Sequence, residues 1–378
     1  MKNEELGMKV AYLIGSLNRG GAETLLLDVF RNVGKASYKM IGIHRKGGAY
    51  QDDFYAAGPK MIHCAPKRFG FMRYLWRLRK ILLRENVTIV HAQQSIDCVY
   101  ARMATIRTGI RVVETFHGYD FVANRYLKFI HSLSIRWADA VCFVSKSQRD
   151  YYVKEYRIKH VEKLHVVYNG IDFSKFDKVY PAPDFLANKS NRVRLAMVGN
   201  FVHVRSQNVI VNALHKLTEE SGMRNVESVK WDFYFVGRRH EKEPWRYDDC
   251  VRYCAEHGLT DCVHFVGGRG DVPAILQHID GFVYSTAHDT FGIAVVEALA
   301  NGLPVVVNDW EVMKEITHNG EWATLFRTGD VADCAEAMRK LIENIEEAKQ
   351  RAQEIAPKIR EAYSIEAHIR RLSEVYKS

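Results

Sequence analysis

The sequence predicts an α/β protein built from two parallel-sheet domains, and three observations carry that prediction. Short apolar runs rich in β-branched residues alternate with helical patterns along the chain, as strands buried on both faces of a parallel sheet alternate with crossover helices. The series halts in a loop-like stretch with Asn169-Gly170, Pro181 and Pro183, then restarts. The chain of 378 residues exceeds one ordinary core, but divides into two domains of roughly 150 to 200 residues each.

The first series runs KVAYLIG from Lys9, KMIGIH from Lys39, KMIHCA from Lys60, VTIVHA from Val87, RVVETFHG from Arg111, AVCFVS from Ala140 and LHVVYNG from Leu164. Its first strand leads into GSLNRGGAETLLLDVFRNV, where Ala22, Leu25, Leu26, Val29, Phe30 and Val33 form a helical stripe. Gly20 and Gly21 therefore sit at a helix N-terminus, whose free N–H groups and dipole can receive phosphate; packing alone also explains a glycine pair. Gly21 and Ala22 stand where a P-loop needs Lys and Ser/Thr, which excludes that NTPase signature. The dinucleotide fingerprint GxGxxG is missing from the same turn, which disfavours a nicotinamide enzyme.

The second series runs RLAMVGN from Arg194, WDFYFVG from Trp231, CVHFVG from Cys262, GFVYS from Gly281 and PVVVND from Pro304. Gly199 follows the first of these, and Arg205 lies near the next helix start, placed either to reach a diphosphate or to be solvated. In HDTFGIAVVEALANGLP, Asp289, Phe291 and Gly292 fall in a loop and a first helical turn. Glu297 falls about one and a half turns further, between Val296 and Ala298, where an unpaired acid is costly to bury. A ribose could supply its partners; an ion pair or simple exposure is the other reading.

Charged residues at 26% and aromatics at 11% exclude a disordered chain. No apolar run approaches the roughly 20 residues a membrane span needs, and the acidic N-terminal stretch does not read as a secretory signal. Cytoplasmic residence is the expectation. Cys64, Cys98 and Cys142 sit in or beside apolar runs, and the spacing of Cys250, Cys254 and Cys262 is not that of a zinc site. A net charge of +9 implies an anionic partner: nucleic acid, acidic membrane or a phosphorylated ligand. No nucleic-acid motif accompanies it. The stretch KRFGFMRYLWRLRKILLRENV mixes bases with Phe71, Tyr74 and Trp76, and suits either an anionic membrane surface or the charged outer face of an ordinary crossover helix.

Taken in order, Gly20-Gly21, NGID at 169–172, VGN followed by Arg205, HFVGG at 264–268 and DTFGIAVVEALANGLPVV resemble the retaining family-four glycosyltransferases of the GT-B fold. The resemblance covers nearly the whole chain, and the last segment is its most specific part. YSIEAHIRRLSEVY, with Ile365, Ile369, Leu372 and Tyr376 on one face, resembles the family's terminal helix that crosses back to the first domain. The resemblance implies an acceptor-side Rossmann-like domain over 1–172, a nucleotide-sugar donor domain over 173–362, facing it across a central cleft, and a returning helix over 363–378.

It further implies transfer from a UDP- or GDP-linked sugar to a glycan or lipid-linked acceptor, with retention of configuration, in cell-surface polysaccharide synthesis at the inner face of the plasma membrane. No metal or other cofactor is implied. Asp289, on the sugar hydroxyls, and His117, close to the donor sugar, are the implied catalytic residues. Glu297 holds the ribose, amides around Phe291, Gly292 and Ile293 serve the sugar and diphosphate, Val266 and Gly267 border the base, and Gly20 and Gly21 lie on the diphosphate side. The chain departs from the family twice. Asn200 and Arg205 occupy donor-binding positions that usually hold Arg and Lys, so one cation is lost, with Arg238 and Arg239 as candidate substitutes. Asp289 stands where Glu is common. Two competing classes remain: a GT-B nucleotide-sugar epimerase, which would act without acceptor, and a non-catalytic nucleotide-sugar-binding protein.

Overall fold

Among the described residues, all the strands paired into sheets run parallel, in one sheet of seven strands and one of six. The computed structural model describes residues 7–66, 70–121, 123–187, 191–220 and 230–378; Lys67, Arg68 and Phe69 of the basic stretch and the acids of the N-terminal stretch lie outside these. The chain forms two compact units, Met1–Asp172 with Tyr363–Ser378, and Phe173–Ala362.

The first unit contains β1 (Lys9–Ser16), β2 (Lys39–Lys46), β3 (Lys60–His63), β4 (Ile89–Ala92), β5 (Arg111–Phe116), β6 (Ala140–Phe143) and β7 (Leu164–Val166), in the order β3-β2-β1-β4-β5-β6-β7. Alternate residues of β1 feed two cores: Ala11 and Leu13 join one, while Val10, Tyr12 and Ile14 join the other. The strand is apolar throughout because both faces are covered. The second core also takes Ile365, Ile369, Leu372, Val375 and Tyr376 from the helix Ile365–Lys377, so the C-terminal segment completes the first unit. Gly170 lies under the start of that helix: a Cβ there would stand 2.8 Å from the Ile365 Cα.

The second unit contains β8 (Val193–Val198), β9 (Trp231–Val236), β10 (Val263–Gly267), β11 (Gly281–Tyr284), β12 (Val305–Asn308) and β13 (Thr324–Phe326), in the order β10-β9-β8-β11-β12-β13. The sequence reading missed β13, a three-residue strand at the sheet edge that is too short to show a pattern. Each sheet reverses its strand order once, between β1 and β4 and between β8 and β11. Ligands of doubly wound sheets bind beyond the strand C-termini at such points, because the flanking loops diverge there.

The helix Phe71–Arg84 divides the aromatics of the basic stretch: Tyr74 is buried with Leu75, Leu78 and Leu82, while Phe71, Met72, Trp76 and Leu83 face outward. All seven cysteines are buried and unpaired in disulfides. Among the described residues, no helix is long and apolar enough to cross a membrane.

Candidate active site

The first unit opens a cavity of about 280 Å³ at its switch point, lined by Gly15 at the end of β1, by Gln93 and Ser95 after β4, and by Thr115 and His117 at the end of β5. His117 Nε2 lies 2.8 Å from Gln93 Oε1. Burial, and secondarily His368, lower its pKa to about 4, so the ring is neutral near pH 7 and can donate from Nε2 to the amide oxygen. Gly20 caps the helix Gly21–Arg31 in extended backbone, and a Cβ on Gly21 would meet nothing within 4 Å, which leaves that helix start open to close approach. Glu23, in the first turn of the same helix, lines the cavity, and burial raises its carboxyl pKa. The sequence reading passed over Glu23; its signal was an acid off the apolar stripe, one turn from the glycine pair.

In the second unit the loop after β8 prolongs the sheet beside β9. The Gly199 N–H donates to the Val236 carbonyl at 2.9 Å and the Phe201 N–H to the Arg238 carbonyl at 3.1 Å. Between them, Asn200 Oδ1 accepts from the Arg238 N–H at 3.0 Å, standing in for a backbone carbonyl. Gln207, buried at the next helix start, donates from Nε2 to the carbonyls of Gly199 and Asn200 at 3.2 and 3.1 Å. These bonds fix the turn at the ligand end of the strands.

Arg205 ties that turn to the loop after β11. Its guanidinium lies 5.3 Å from the centre of the Tyr284 ring, Nη1 is 3.4 Å from Thr286 Oγ1, and Nη2 is 3.2 Å from Asp289 Oδ2. Burial opposes its charge, but Tyr284 and Asp289 outweigh burial and raise its pKa. Asp289 Oδ2 also accepts from the Tyr284 hydroxyl at 3.0 Å, while Oδ1 accepts from the Thr290 N–H at 2.8 Å and the Phe291 N–H at 3.4 Å. A carboxylate offers about four acceptor positions, so these bonds occupy it within its own domain. The sequence expectation has Asp289 reaching for the sugar; here its short stem closes a turn on the next two amides and holds Arg205.

Gly292 adopts the left-handed conformation at φ 82° and caps the helix Ile293–Ala300. A Cβ at Gly292 would come within 2.7 Å of Met313 Cε. The helix's first hydrogen bonds run from Val295 and Val296 back to the Gly292 carbonyl at 3.0 and 3.2 Å, so the amides of Ile293 and Ala294 precede any intrahelical acceptor. Phe291 is buried beneath this turn. Glu297, half-buried on the same helix, pairs with Lys175 Nζ at 2.9 Å. The acid therefore has a protein partner, the ion pair that the sequence reading held open beside a ribose; Lys175 itself went unnamed because residues so far apart in the chain show no local pairing signal. Val266 and Gly267 end β10 where its register breaks, with Gly267 at φ 72°.

Asn308 escaped the sequence reading. It is buried at the end of β12, where it accepts from the Thr286 N–H at 2.9 Å and donates to Thr328 Oγ1 at the same distance. Its only sequence signal was a polar residue closing an apolar strand. Of the two candidate substitute cations, Arg239 is bound through two 2.7 Å bonds to Asp248, while Arg238 extends across Gly268. Among the described residues, no three His, Cys, Asp or Glu side chains gather as a metal site. Gly20, Gly21 and His117 thus belong to the first unit; Asn200, Arg205, Asp289, Phe291, Gly292, Ile293, Glu297, Val266 and Gly267 belong to the second.

Residues 19–175 match the family described as Glycosyltransferase Family 4, and residues 182–358 match Glycosyl transferases group 1. The chain is 25% identical over 249 residues to the Escherichia coli UDP-Gal:alpha-D-GlcNAc-diphosphoundecaprenol alpha-1,3-galactosyltransferase, a match spanning 63% of this chain and 62% of that protein. It is 24% identical over 299 residues to the Campylobacter jejuni N,N'-diacetylbacillosaminyl-diphospho-undecaprenol alpha-1,3-N-acetylgalactosaminyltransferase, covering 73% of each. The crystal structure of Anabaena Alr3699/HepE in complex with UDP and glucose superposes with a TM-score of 0.81, at 17% identity, over 98% of this chain and 99% of that one.

Proposed function

This chain belongs to the group 1 glycosyltransferases of GT-B fold, and on that premise we propose that it moves a sugar from a nucleotide-sugar donor to a glycan or lipid-linked acceptor, with retention of configuration. One observation carries the reading. At the β8/β11 switch point, Gly292 turns the open amides of a helix start toward the strand ends, with Glu297 about one and a half turns along the same helix. Such amides favour the negative charge that develops on a departing diphosphate, and they do so without metal. The bond from the anomeric carbon to the diphosphate breaks as the acceptor oxygen bonds that carbon on the same face, and the acceptor's proton passes to the leaving phosphate oxygen, which retains configuration. Glu297 accepts from the ribose hydroxyls while Lys175 holds its carboxylate in place, and Val266 and Gly267 border the base.

Asp289 contributes through its own domain, keeping Arg205 and the loop amides in place for the donor. His117, neutral with its Nε2–H given to Gln93, places an uncharged ring in the first unit's cavity beside hydroxyl-bearing substrate. The names of the E. coli and C. jejuni relatives specify sugars carried on diphospho-undecaprenol, which supports a lipid-linked acceptor and a step in cell-surface polysaccharide synthesis. The outward face of the helix Phe71–Arg84 combines Met72 and Trp76 with Arg73, Arg77, Lys80 and Arg84, a composition suited to the anionic inner face of the plasma membrane.

The test is incubation with UDP- and GDP-sugars, with and without an undecaprenyl-diphosphate-linked sugar, in buffer and in EDTA. The expected product carries a new glycosidic bond of the donor's anomeric configuration by NMR and forms equally in EDTA. Conversion of donor to its epimer without acceptor overturns the transferase reading. Thermal stabilisation by donor with no turnover identifies a binding protein instead.

A further inference from the structure

We propose that the first unit's cavity is a subsite for one uncharged sugar ring, whose hydroxyls meet the carboxyl oxygens of Glu23 and the side-chain N–H of Gln93; this rests on the glycosyltransferase reading above. The cavity of about 280 Å³ lies at the lower end of small-ligand sites, which run from roughly 300 to 1,000 Å³, and so suits one ring better than a chain of them. Among the described residues its lining holds one carboxyl, that of Glu23, and neither Lys nor Arg. A phosphate there would face an acid with no cation to offset it, whereas a neutral polyol meets donors and acceptors. Phe116, Tyr119 and Tyr152 add ring surface for the apolar face of a sugar.

Several polar groups of the lining are already committed. Gln94 Oε1 accepts from Arg45 Nη2 at 3.0 Å, and its amide fills the space where Gly15 has no side chain. The Ser95 hydroxyl donates to Glu114 Oε1 at 2.6 Å, and Thr115 Oγ1 lies 2.7 Å from His91 Nε2. Gln93 is committed at one end alone. Its backbone N–H donates to the Leu13 carbonyl at 3.1 Å, which holds the residue between β1 and β4, and its Oε1 accepts from His117. Its Nε2 has no partner among the described residues, although Gln93 is 8% exposed. A buried N–H without an acceptor is costly, and a ligand oxygen in the cavity supplies one.

Glu23 pairs with no other side chain among the described residues. Its Oε2 lies over Gly20, where a Cβ would collide with it. The acid thus covers the start of the helix Gly21–Arg31 and favours a hydroxyl there over a second anion. An acceptor on the helix and a donor beside the sheet, on the two sides of the switch point, are the complement of a ring that carries several hydroxyls.

Saturation-transfer NMR with the methyl glycosides of glucose, galactose, N-acetylglucosamine and N-acetylgalactosamine, beside isothermal titration of UDP and GDP, tests the subsite. At least one glycoside is expected to bind the unsubstituted protein. Glu23→Gln is expected to raise its Kd by about 5- to 30-fold, and Gln93→Glu, which keeps an oxygen for His117 but removes the N–H, by about 3- to 10-fold. The nucleotide Kd should stay within about twofold in both variants. In turnover the same variants should raise KM for one substrate: the acceptor if the ring is the acceptor's, the donor if it is the donor's. Absence of glycoside binding overturns the proposal, as does a glycoside Kd within about twofold of the unsubstituted protein in either variant, or an equal loss for glycoside and nucleotide. A protein that binds a glycoside through Glu23 and Gln93 but neither nucleotide keeps the sugar subsite and overturns the UDP- or GDP-sugar reading.

Discussion

Arg205 and Asp289 meet at 3.2 Å and join the loop after β8 to the loop after β11, so the two sides of the second sheet's switch point are one electrostatic unit. Removing Asp289 leaves a half-buried cation without its carboxylate and uncaps the amides of Thr290 and Phe291. Asp289→Ala is expected to lower kcat/KM by about 2 to 4 kcal/mol, roughly 30- to 1000-fold. In a cycle with Arg205→Met, the double variant should lose less than the sum of the singles, since each single already breaks the pair. Strict additivity would show that the pair does not act as a unit.

Gly292 marks the most constrained backbone of the site. Alanine there must adopt the left-handed conformation, at about 1 to 2 kcal/mol, and must also displace Met313. Gly292→Ala should lower the urea midpoint of the second unit and raise the donor KM, because the shift falls at the amides of Ile293 and Ala294. Unchanged midpoint and KM together would remove this turn from the binding site.

Much of the fold was legible because parallel strands buried on both faces write themselves as unbroken apolar runs: every run read as a strand, from KVAYLIG to PVVVND, is one. β13 was not, since three residues at an edge carry no period. The apolar positions of helices were legible for the same reason, except at Tyr74, whose aromatic ring reads equally well as core or surface. The loops after the strands announced themselves through glycine, but the partnerships within them did not. Arg205 with Asp289, Glu297 with Lys175, and Asn200 with the Arg238 amide are long-range pairings fixed by strand order, and a single sequence does not encode strand order locally.

Glu297 should be read out by the nucleoside. If Glu297 accepts from ribose hydroxyls, Glu297→Gln weakens uridine and UDP alike, by about 1 to 2 kcal/mol or roughly 5- to 30-fold. Loss of stability without loss of nucleoside affinity in Glu297→Gln would reduce the Lys175 pair to a structural brace.

The outward face of the helix Phe71–Arg84 exposes Met72 and Trp76, with Lys80 Nζ 4.2 Å from the Trp76 ring centre. Co-sedimentation with vesicles containing phosphatidylglycerol is expected at low salt, and it should fall steeply as salt is raised, since screening acts on the exposed bases. Met72→Ser with Trp76→Ser should weaken it further at every salt concentration. No sedimentation of the unsubstituted protein at low salt would remove membrane contact from the proposed function.

Stability of the first unit should peak near pH 6.5, from groups of opposite sign. Burial above all lowers the pKa of His91 to about 3, and of His117 and His368 to about 4, from the ordinary 6.5. As pH falls below about 6.5 the unfolded chain takes up protons that the folded unit refuses, so each histidine subtracts stability until its folded pKa is reached. Glu114 works the other way. Burial raises its pKa from 4.5 to about 7, so the folded unit keeps a proton that the unfolded chain has released; its contribution is complete below pH 4.5 and is lost as pH rises through 7. Between pH 4.5 and 6.5 these three histidines, joined by His44 and His165, whose pKa values burial also lowers, outweigh Glu114 and the raised carboxyls of Glu23 and Asp97, and stability climbs; above about 6.5 the histidines no longer contribute, Glu114 leads, and stability declines before levelling. Glu114→Gln, which accepts from Ser95 as the acid does but cannot ionise, should abolish the decline and steepen the climb. Thermal unfolding followed by near-ultraviolet circular dichroism from pH 4.5 to 8 measures both, and a Glu114→Gln profile parallel to the wild type across that range would exclude Glu114 as the group that sets the upper limb.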